Sequence, residues 1–566
     1  MINFKGNPFF LSDQDISWIE DTLSNMTVEE KIGQLFCLHG DSNDFSVLGQ
    51  IVETYKPGAM MYRPGESEKI YGIHQFLQNQ SQIPMLLAAN LEAGGDGIGN
   101  DGTFFGRQIQ VAASDNVENA YHLGVVAAKE GSAVGCNWAF APVVDIDMNH
   151  SNPITNVRTY GSNPQRVLDM ASAYMKGCQE NGVAVSIKHF PGDGVDDRDQ
   201  HLVASVNSLS VEEWDATFGF VYQAMIDRGA KTVMAGHILQ PAYTKVFSPD
   251  IKDEDMRPAS LSKELLQGLL RNKLNFNGLI VTDATEMVGF AVTGRRSDLI
   301  PEAIAAGCDM ILFTRNMEED YQYMKDGIHN GTVSQQRLDE AVSRILATKA
   351  SLKLHSKAKA EKLMPPKEGL AILKCPEHVK WAEELSDQSI TLVKDTQHIL
   401  PIDKEKHKKI MVFVLGDIVS ASGKPPVSNL FIQSLQDEGF QVDKFNADIH
   451  SDLFRKSPIA DIRKQYDLVI YFANIKTASN QTTVRINWLP PMGLDTPWFV
   501  HEIPTIFVSV ANPYHLQDVP MIKTYINAYT ANEYNPKLIV EKLVGKSEFK
   551  GKNPIDPFCS YWDTKL

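Results

Sequence analysis

Cysteine is scarce in this chain. Six residues in 566, Cys37, Cys136, Cys178, Cys308, Cys375 and Cys559, stand far apart, with no C-x-x-C among them. That spacing excludes a disulfide framework and a zinc ribbon, which need partners at short fixed intervals. Cys37, Cys136 and Cys308 fall inside apolar runs and read as small core residues. Long hydrophobic runs are missing too. No stretch of about 18 apolar residues offers a membrane span. The opening "MINFKGNPFFLSDQDISW" lacks the basic-then-apolar order of a secretory signal, so the chain reads as a soluble cytoplasmic protein. Positive charge is in deficit: 54 Lys and Arg against 70 Asp and Glu leave a formal net charge of −16. Such a field repels phosphates, which excludes nucleic acid and anionic membrane as main partners. "DKEKHKK" (Asp403 to Lys409) is mixed in sign and reads as a solvated face. "GDIVSASG" (Gly416 to Gly423) lacks the Gly-Lys-Ser/Thr ending of a phosphate loop.

What the chain does have is a rhythm. Apolar, β-rich runs recur at Leu35 to Gly40, Pro57 to Tyr62, Ile83 to Asn90, Asn137 to Asp145, Val183 to Phe190, Lys231 to Ile238, Gly278 to Ala284 and Asp309 to Thr314. Between most of them lie segments with i, i+3, i+4 apolar spacing, such as "VLDMASAYMKGCQENG" and "SKELLQGLLRNKLNF". Near-continuous apolar strands alternating with helices imply a parallel sheet covered on both faces, and eight of them point to a (β/α)8 barrel of the TIM type. A doubly wound open sheet calls for fewer strands and a Gly-rich turn after the first one; "LFCLHGDSNDF" has no such turn. After the polar, Pro-containing stretch around "HSKAKAEKLMPPKEGL", a second α/β pattern begins, with "KIMVFVLGD", "DLVIYFAN", "TIFVSVANP" and "TYINAYT" as parallel strands. The organisation is a TIM-type barrel over 1–354, a linker over 355–383 and a smaller C-terminal α/β sandwich domain over 384–566.

In such a barrel the functional groups gather at the C-terminal ends of the strands, where the βα loops make the mouth. Those ends carry Asn90 and Glu92, Asp145, Lys188 and His189, His237, and Asp283. Polar groups at the ends of apolar strands are costly unless paired or used; so many at one end indicate a site. Asp145 and His237 read equally well as hydrogen-bonded core residues. Asp283 reads as a functional carboxylate on a rigid element, or as a helix cap in "TDATEM", three residues before Glu286. The stretch "KHFPGDGVDDRDQH" (Lys188 to His201) ends in Asp199 and His201. Two apart, their side chains point the same way in an extended segment, and a carboxylate beside an imidazole sets its tautomer for acid/base work. Taken alone, the pair reads equally as solvated loop residues. Gly192 and Gly194 give that loop freedom to swing over a bound ligand.

These motifs, in this order, resemble glycoside hydrolase family 3, in particular its β-N-acetylglucosaminidase branch. "MTVEEKIGQLF" is similar to the family's opening helix and strand. "NWAFAPVVDIDMNHSNPITNVRTYGSNP" is similar to its fourth strand and the loop with a sugar-binding arginine, here Arg158. "KHFPGDGVDDRDQH" resembles the branch signature K-H-F-P-G-x-G-x(4)-D-S-H, and "PASLSKELLQGLLRNKLNFNGLIVTDATEM" the stretch holding the nucleophile, here Asp283. The chain departs from the family pattern at Asp193, Val195 and Gln200, and at Asn90, where a sugar-binding aspartate is usual.

The resemblance implies a retaining, exo-acting β-N-acetylglucosaminidase (β-hexosaminidase) for short oligosaccharides or cell-wall fragments. Asp283 is then the nucleophile, His201 the acid/base and Asp199 its orienter, with Arg158, Lys188, His189, Asn90 and Glu92 on the sugar. No cofactor and no metal is implied, and the oligomeric state is left open. A glycoside phosphorylase on the same scaffold is the alternative, because a neutral histidine repels phosphate less than a carboxylate does. A metal-dependent barrel hydrolase using His189, His237 and Asp283, and a sugar-binding relative without turnover, complete the set.

Overall fold

The computed structural model describes residues 2–418, 425–480, 482–490 and 492–566, and "GDIVSASG" from 419 on lies outside them. The described chain divides into two compact units. The first, spanning 1–104, 120–155 and 163–378, holds a sheet of eight short strands, β1 (Phe36–His39), β2 (Ala59–Met61), β3 (Leu86–Ala89), β4 (Trp138–Ala139), β5 (Ala184–Phe190), β6 (Thr232–Ala235), β7 (Leu279–Ala284) and β8 (Met310–Leu312), beside a small pair, Ser205–Val206 with Ile238–Leu239. Each runs parallel to its successor, and β8 returns to β1, with Phe36 opposite Ile311, so the sheet is a closed barrel with helices between the strands. Every one of the eight apolar runs is a barrel strand.

The sequence explains the local shapes. Ser12 with Asp15, and Thr27 with Glu30, form reciprocal capping boxes that start helices Asp13–Asn25 and Val28–Gln34. All seven residues of β5 are buried, as a strand covered on both faces requires. β4 is far shorter than the run from Asn137 to Asp145, since Pro142 has no N–H for the ladder. Ser186 N still donates to Ala141 O (3.1 Å) and Val144 N to Lys188 O (2.8 Å). The irregular stretch therefore stays beside β5 and delivers Asp145 to the same end as Lys188 and His189. Just ahead of β8, Asp309 is fully buried and accepts from Arg271, Arg337 and the Ile280 amide, with Arg344 3.5 Å away.

The second unit comprises 105–119, 156–162 and 379–566. Its six-stranded mixed sheet contains β9 (Thr391–Asp395), β10 (Lys409–Leu415), β11 (Gln441–Lys444), β12 (Leu468–Ala473), β13 (Thr505–Ser509) and β14 (Thr524–Asn527). Their order is β9-β14-β13-β12-β10-β11, parallel except for β9. The four strands read from the sequence are β10, β12, β13 and β14. β11 is a mostly exposed edge and β9 carries Lys394 and Asp395, so neither shows a clear apolar period. Alternate residues serve the two faces: Ile410, Val412 and Ile470 pack with Phe431 and Leu543, while Met411, Phe413 and Tyr471 pack with Phe454 and Phe499. Residues 355–383 include helical segments, Leu354–Lys359 and the start of Pro376–Ser389. The six cysteines form no disulfide; five are buried and Cys375 is partly exposed. Among the described residues no helix is long and apolar enough to cross a membrane.

Candidate active site

The C-terminal ends of β3, β5, β6 and β7, with the loop after β5, bring one polar cluster together. Asp283 is the last residue but one of β7 and is buried. Its Oδ1 accepts from the Ala284 amide at 2.7 Å, and its Oδ2 lies 3.9 Å from His189 Nε2. The capping alternative fails, because the next helix, Val288–Ala291, begins at Met287 with no side-chain cap. Burial works to raise the Asp283 carboxyl, but the imidazoles of His189, His237 and His201 around it outweigh burial and hold it below the ordinary carboxylate value. It is therefore an anion at neutral pH.

His189 is held from behind by Asp145. Asp145 Oδ2 accepts from His189 Nδ1 (2.7 Å), and Oδ1 accepts the backbone amides of His189 (3.0 Å) and Asp193 (2.8 Å). Nδ1 thus carries a proton and Nε2 faces Asp283. Asp145, read as either a core or a site residue, serves to orient His189. Lys188, one residue earlier on β5, makes a 2.7 Å ion pair with Glu92, both nearly buried. Asn90, at the end of β3, is exposed.

Asp199 and His201 meet, though not as an extended pair. The chain turns here, with the Leu202 and Val203 amides donating to Asp199 O. Asp199 Oδ1 accepts both the His201 amide (2.8 Å) and His201 Nδ1 (2.7 Å). This local side-chain turn, in which a short carboxylate bonds the backbone two residues on, replaces the strand geometry expected from the spacing. The Asp199 side chain is 1% exposed and the His201 side chain 24%, so the carboxylate is hidden and the imidazole is partly open to solvent. The glycines do not loosen the loop. Gly192 and Gly194 have φ of +119° and +106°, and a Cβ there would stand 2.1 Å from the Phe218 ring and from Ile146 O. They let the loop pack tightly.

His237 is a ring fixed at both nitrogens. Burial pushes its imidazole down; Nε2–H donates to Ala284 O (3.0 Å) and Nδ1 accepts from Ser260 Oγ (2.9 Å). It anchors the backbone next to Asp283. With both His237 nitrogens and His189 Nδ1 committed, this trio does not fit a metal. Arg158 lies in the 156–162 segment that belongs to the second unit. Two residues that sequence reasoning noted only as departures, Asp193 and Gln200, are buried within the cluster. Their being polar where the family signature differs was the available signal. Asp193 accepts from Asn152 Nδ2 (2.9 Å) and the Gly194 amide (2.7 Å). Its carboxyl is pushed up to about 6 by burial and by the nearby Asp145 charge.

A buried anionic carboxylate on a strand end, facing imidazoles that are themselves held by carboxylates, is equipped for nucleophilic and acid/base work at one carbon centre. Comparison with known proteins fits. Residues 27–348 match the glycosyl hydrolase family 3 N-terminal domain, and the chain belongs to that family. It is 43% identical over 569 residues, covering 100% of both chains, to a β-N-acetylglucosaminidase/β-glucosidase of Cellulomonas fimi. Among solved structures it is similar to a β-glucoside phosphorylase, BglX, at 45% identity with a TM-score of 0.93, covering 99% of each chain. The fold also matches a family 3 β-N-acetylglucosaminidase from Paenibacillus sp. (TM-score 0.80, 23% identity, 95% of this chain and 100% of that one).

Proposed function

We propose that this enzyme is a retaining, exo-acting β-glycosidase that removes a terminal β-linked N-acetylglucosaminyl or glucosyl residue from short oligosaccharides or cell-wall fragments. Asp283 attacks the anomeric carbon while the bond to the leaving oxygen breaks, and that oxygen takes the Nε2 proton of His201. The acceptor then attacks the same carbon, Asp283 departs as carboxylate, and His201 recovers a proton from the acceptor. Two displacements retain the β configuration. Asp199 stabilises the charged ring and keeps Nδ1 protonated. Lys188, His189, Glu92 and Asn90 bind the glycone, and by family resemblance so does Arg158. The observation that carries the reading is the Asp199–His201 pair at 2.7 Å, one partner hidden and the other partly open. The dual name of the Cellulomonas fimi relative supports admitting both glycones. The reading takes the protein to be cytoplasmic and in need of no cofactor.

A second reading concerns the acceptor. A histidine that has given up its proton is neutral and does not repel phosphate as a carboxylate would, and the 45% identical structure is titled a phosphorylase. One experiment tests both. Aryl N-acetylglucosaminide, N-acetylgalactosaminide, glucoside and xyloside are assayed with and without phosphate, and the products are identified. Free β-configured sugar on the first or third substrate supports hydrolysis, sugar 1-phosphate supports phosphorolysis, and no turnover on any would sink the proposal.

A further inference from the structure

Gln200, between Asp199 and His201, is completely buried. An amide side chain is costly to bury unless both ends are bonded, and here both are. Its Nε2 donates to Asp193 Oδ2 (3.3 Å), and its Oε1 accepts the His237 amide (2.9 Å), just past the end of β6. Backbone contacts hold the other side of the same turn. Val288 N, in the loop after β7, donates to His201 O (2.9 Å). A Cβ on Gly289 would stand 2.2 Å from Gln200 O, so only glycine lets that loop come so close.

We propose that Gln200 is the positioning residue for His201, and that Asp193 and Gln200 act as one matched pair that docks the acid/base turn onto the ends of β5 and β6, beside the strand carrying the nucleophile. This rests on the reading of Asp199 and His201 as the acid/base pair. The network is continuous: Gln200 to Asp193, Asp193 N to Asp145, Asp145 to His189, and His189 toward Asp283. The two positions that depart from the family signature at 193 and 200 are thus in direct contact. Gln200 does not touch the reacting atoms; it sets where His201 stands relative to Asp283.

The hydrogen bonds are directional, which allows a reciprocal test. Asp193 Oδ1 is committed to two donors, Asn152 Nδ2 and the Gly194 amide. In Asp193→Asn the new NH2 must therefore take the Oδ2 place and face the Gln200 NH2. Gln200 cannot flip, because its oxygen receives the His237 amide. In Gln200→Glu two carboxylates meet instead. The double variant restores a donor on 193 and acceptors on both arms of 200, with the net charge unchanged.

Wild type, both single variants, the double variant, Gln200→Leu and His201→Ala are compared on a 2,4-dinitrophenyl β-glycoside and on a β-disaccharide of the glycone the wild type accepts. Thermal melts control for folding. Each single variant and Gln200→Leu should lose about ten- to a hundredfold in kcat/KM on the disaccharide. On the dinitrophenyl glycoside, whose departure needs no proton, the loss should stay within about threefold. The double variant should recover to within about threefold of wild type on both. Losses equal on the two substrates, or losses that simply add in the double variant, would overturn the assignment while His201→Ala remains selective. If His201→Ala is itself unselective, the acid/base reading fails and the inference falls with it.

Discussion

Replacing His201 by alanine removes a ring that is partly open to solvent while its Nδ1 rests on Asp199. Asp199 keeps its bond to the backbone amide at 201, so the turn survives and the cost falls on chemistry. A positioned general acid contributes about 10²–10⁴-fold, and that is the loss expected on a natural disaccharide, whose alkoxide needs a proton to leave. A dinitrophenolate needs none, so glycosylation of Asp283 should stay near the wild-type rate. Deglycosylation loses its base and slows, and rapid mixing should show a burst of one phenolate per active site followed by slow turnover. Asp199→Asn is milder, for a reason visible in the geometry: one oxygen, Oδ1, accepts both bonds, and an asparagine carbonyl can do the same. At those two bonds the acceptor is kept and the charge is lost. A charge-assisted bond is worth roughly 1.5–3 kcal/mol against about 1 for a neutral one, so the disaccharide rate should fall about two- to thirtyfold. Equal losses on both substrates, with no burst, would refute the assignment of His201 and leave the proton donor elsewhere.

Asp283→Asn should keep its fold and melting temperature yet lose nearly all turnover on an aryl glycoside; wild-type rates would remove it as nucleophile. Alanine at Lys188, His189 or Arg158 should each lower kcat/KM about ten- to a hundredfold without changing which bond is cut, as read by product chromatography. Asp193 binds its proton more tightly when folded, its carboxyl being pushed up to about 6 from 3.8. The folded state then holds the extra proton between these values, so this group's contribution to stability is greatest at low pH and is lost as pH rises through about 6. In urea melts, Asp193→Asn should therefore gain on wild type from pH 4.5 to 7. Asp309→Ala leaves Arg271, Arg337 and Arg344 facing one another without their shared buried carboxylate; a loss of roughly 3–5 kcal/mol in denaturant stability is expected.

The barrel was legible because each strand is buried on both faces and so writes a solid apolar run; the end residues Asp283, His189 and Lys188 followed from where those runs stop. What escaped were features set by partners distant in sequence. β4 breaks early at Pro142, an effect of one missing N–H inside an otherwise convincing run. β9 and β11 lie at the two edges of the second sheet and carry polar residues that hide their period. Asp199 and His201 were paired correctly but for the wrong geometric reason, since spacing alone does not separate a strand from a side-chain turn. Asp193 and Gln200 looked like two unrelated departures; only the folded chain puts the carboxylate of one against the amide of the other.

The buried thiols have a practical consequence. Cys37, Cys136, Cys178 and Cys308 are sealed in the first unit and burial pushes each thiol up, Cys178 to about 12; thiolate, the species that alkylates, is scarce there. Cys559 is buried as well, which leaves Cys375 as the one partly exposed thiol. The native protein is thus a ready single-label molecule: maleimide should take one equivalent per folded chain and six after unfolding. The label would sit between Lys374, whose amide donates to Glu130, and His378, whose ring meets the same carboxylate at 2.6 Å. Glu130 also receives the Thr103 amide and hydroxyl. A spin or fluorescent probe on Cys375 would accordingly report on the loop after β3, which begins with Asn90 and Glu92, without a single engineered residue.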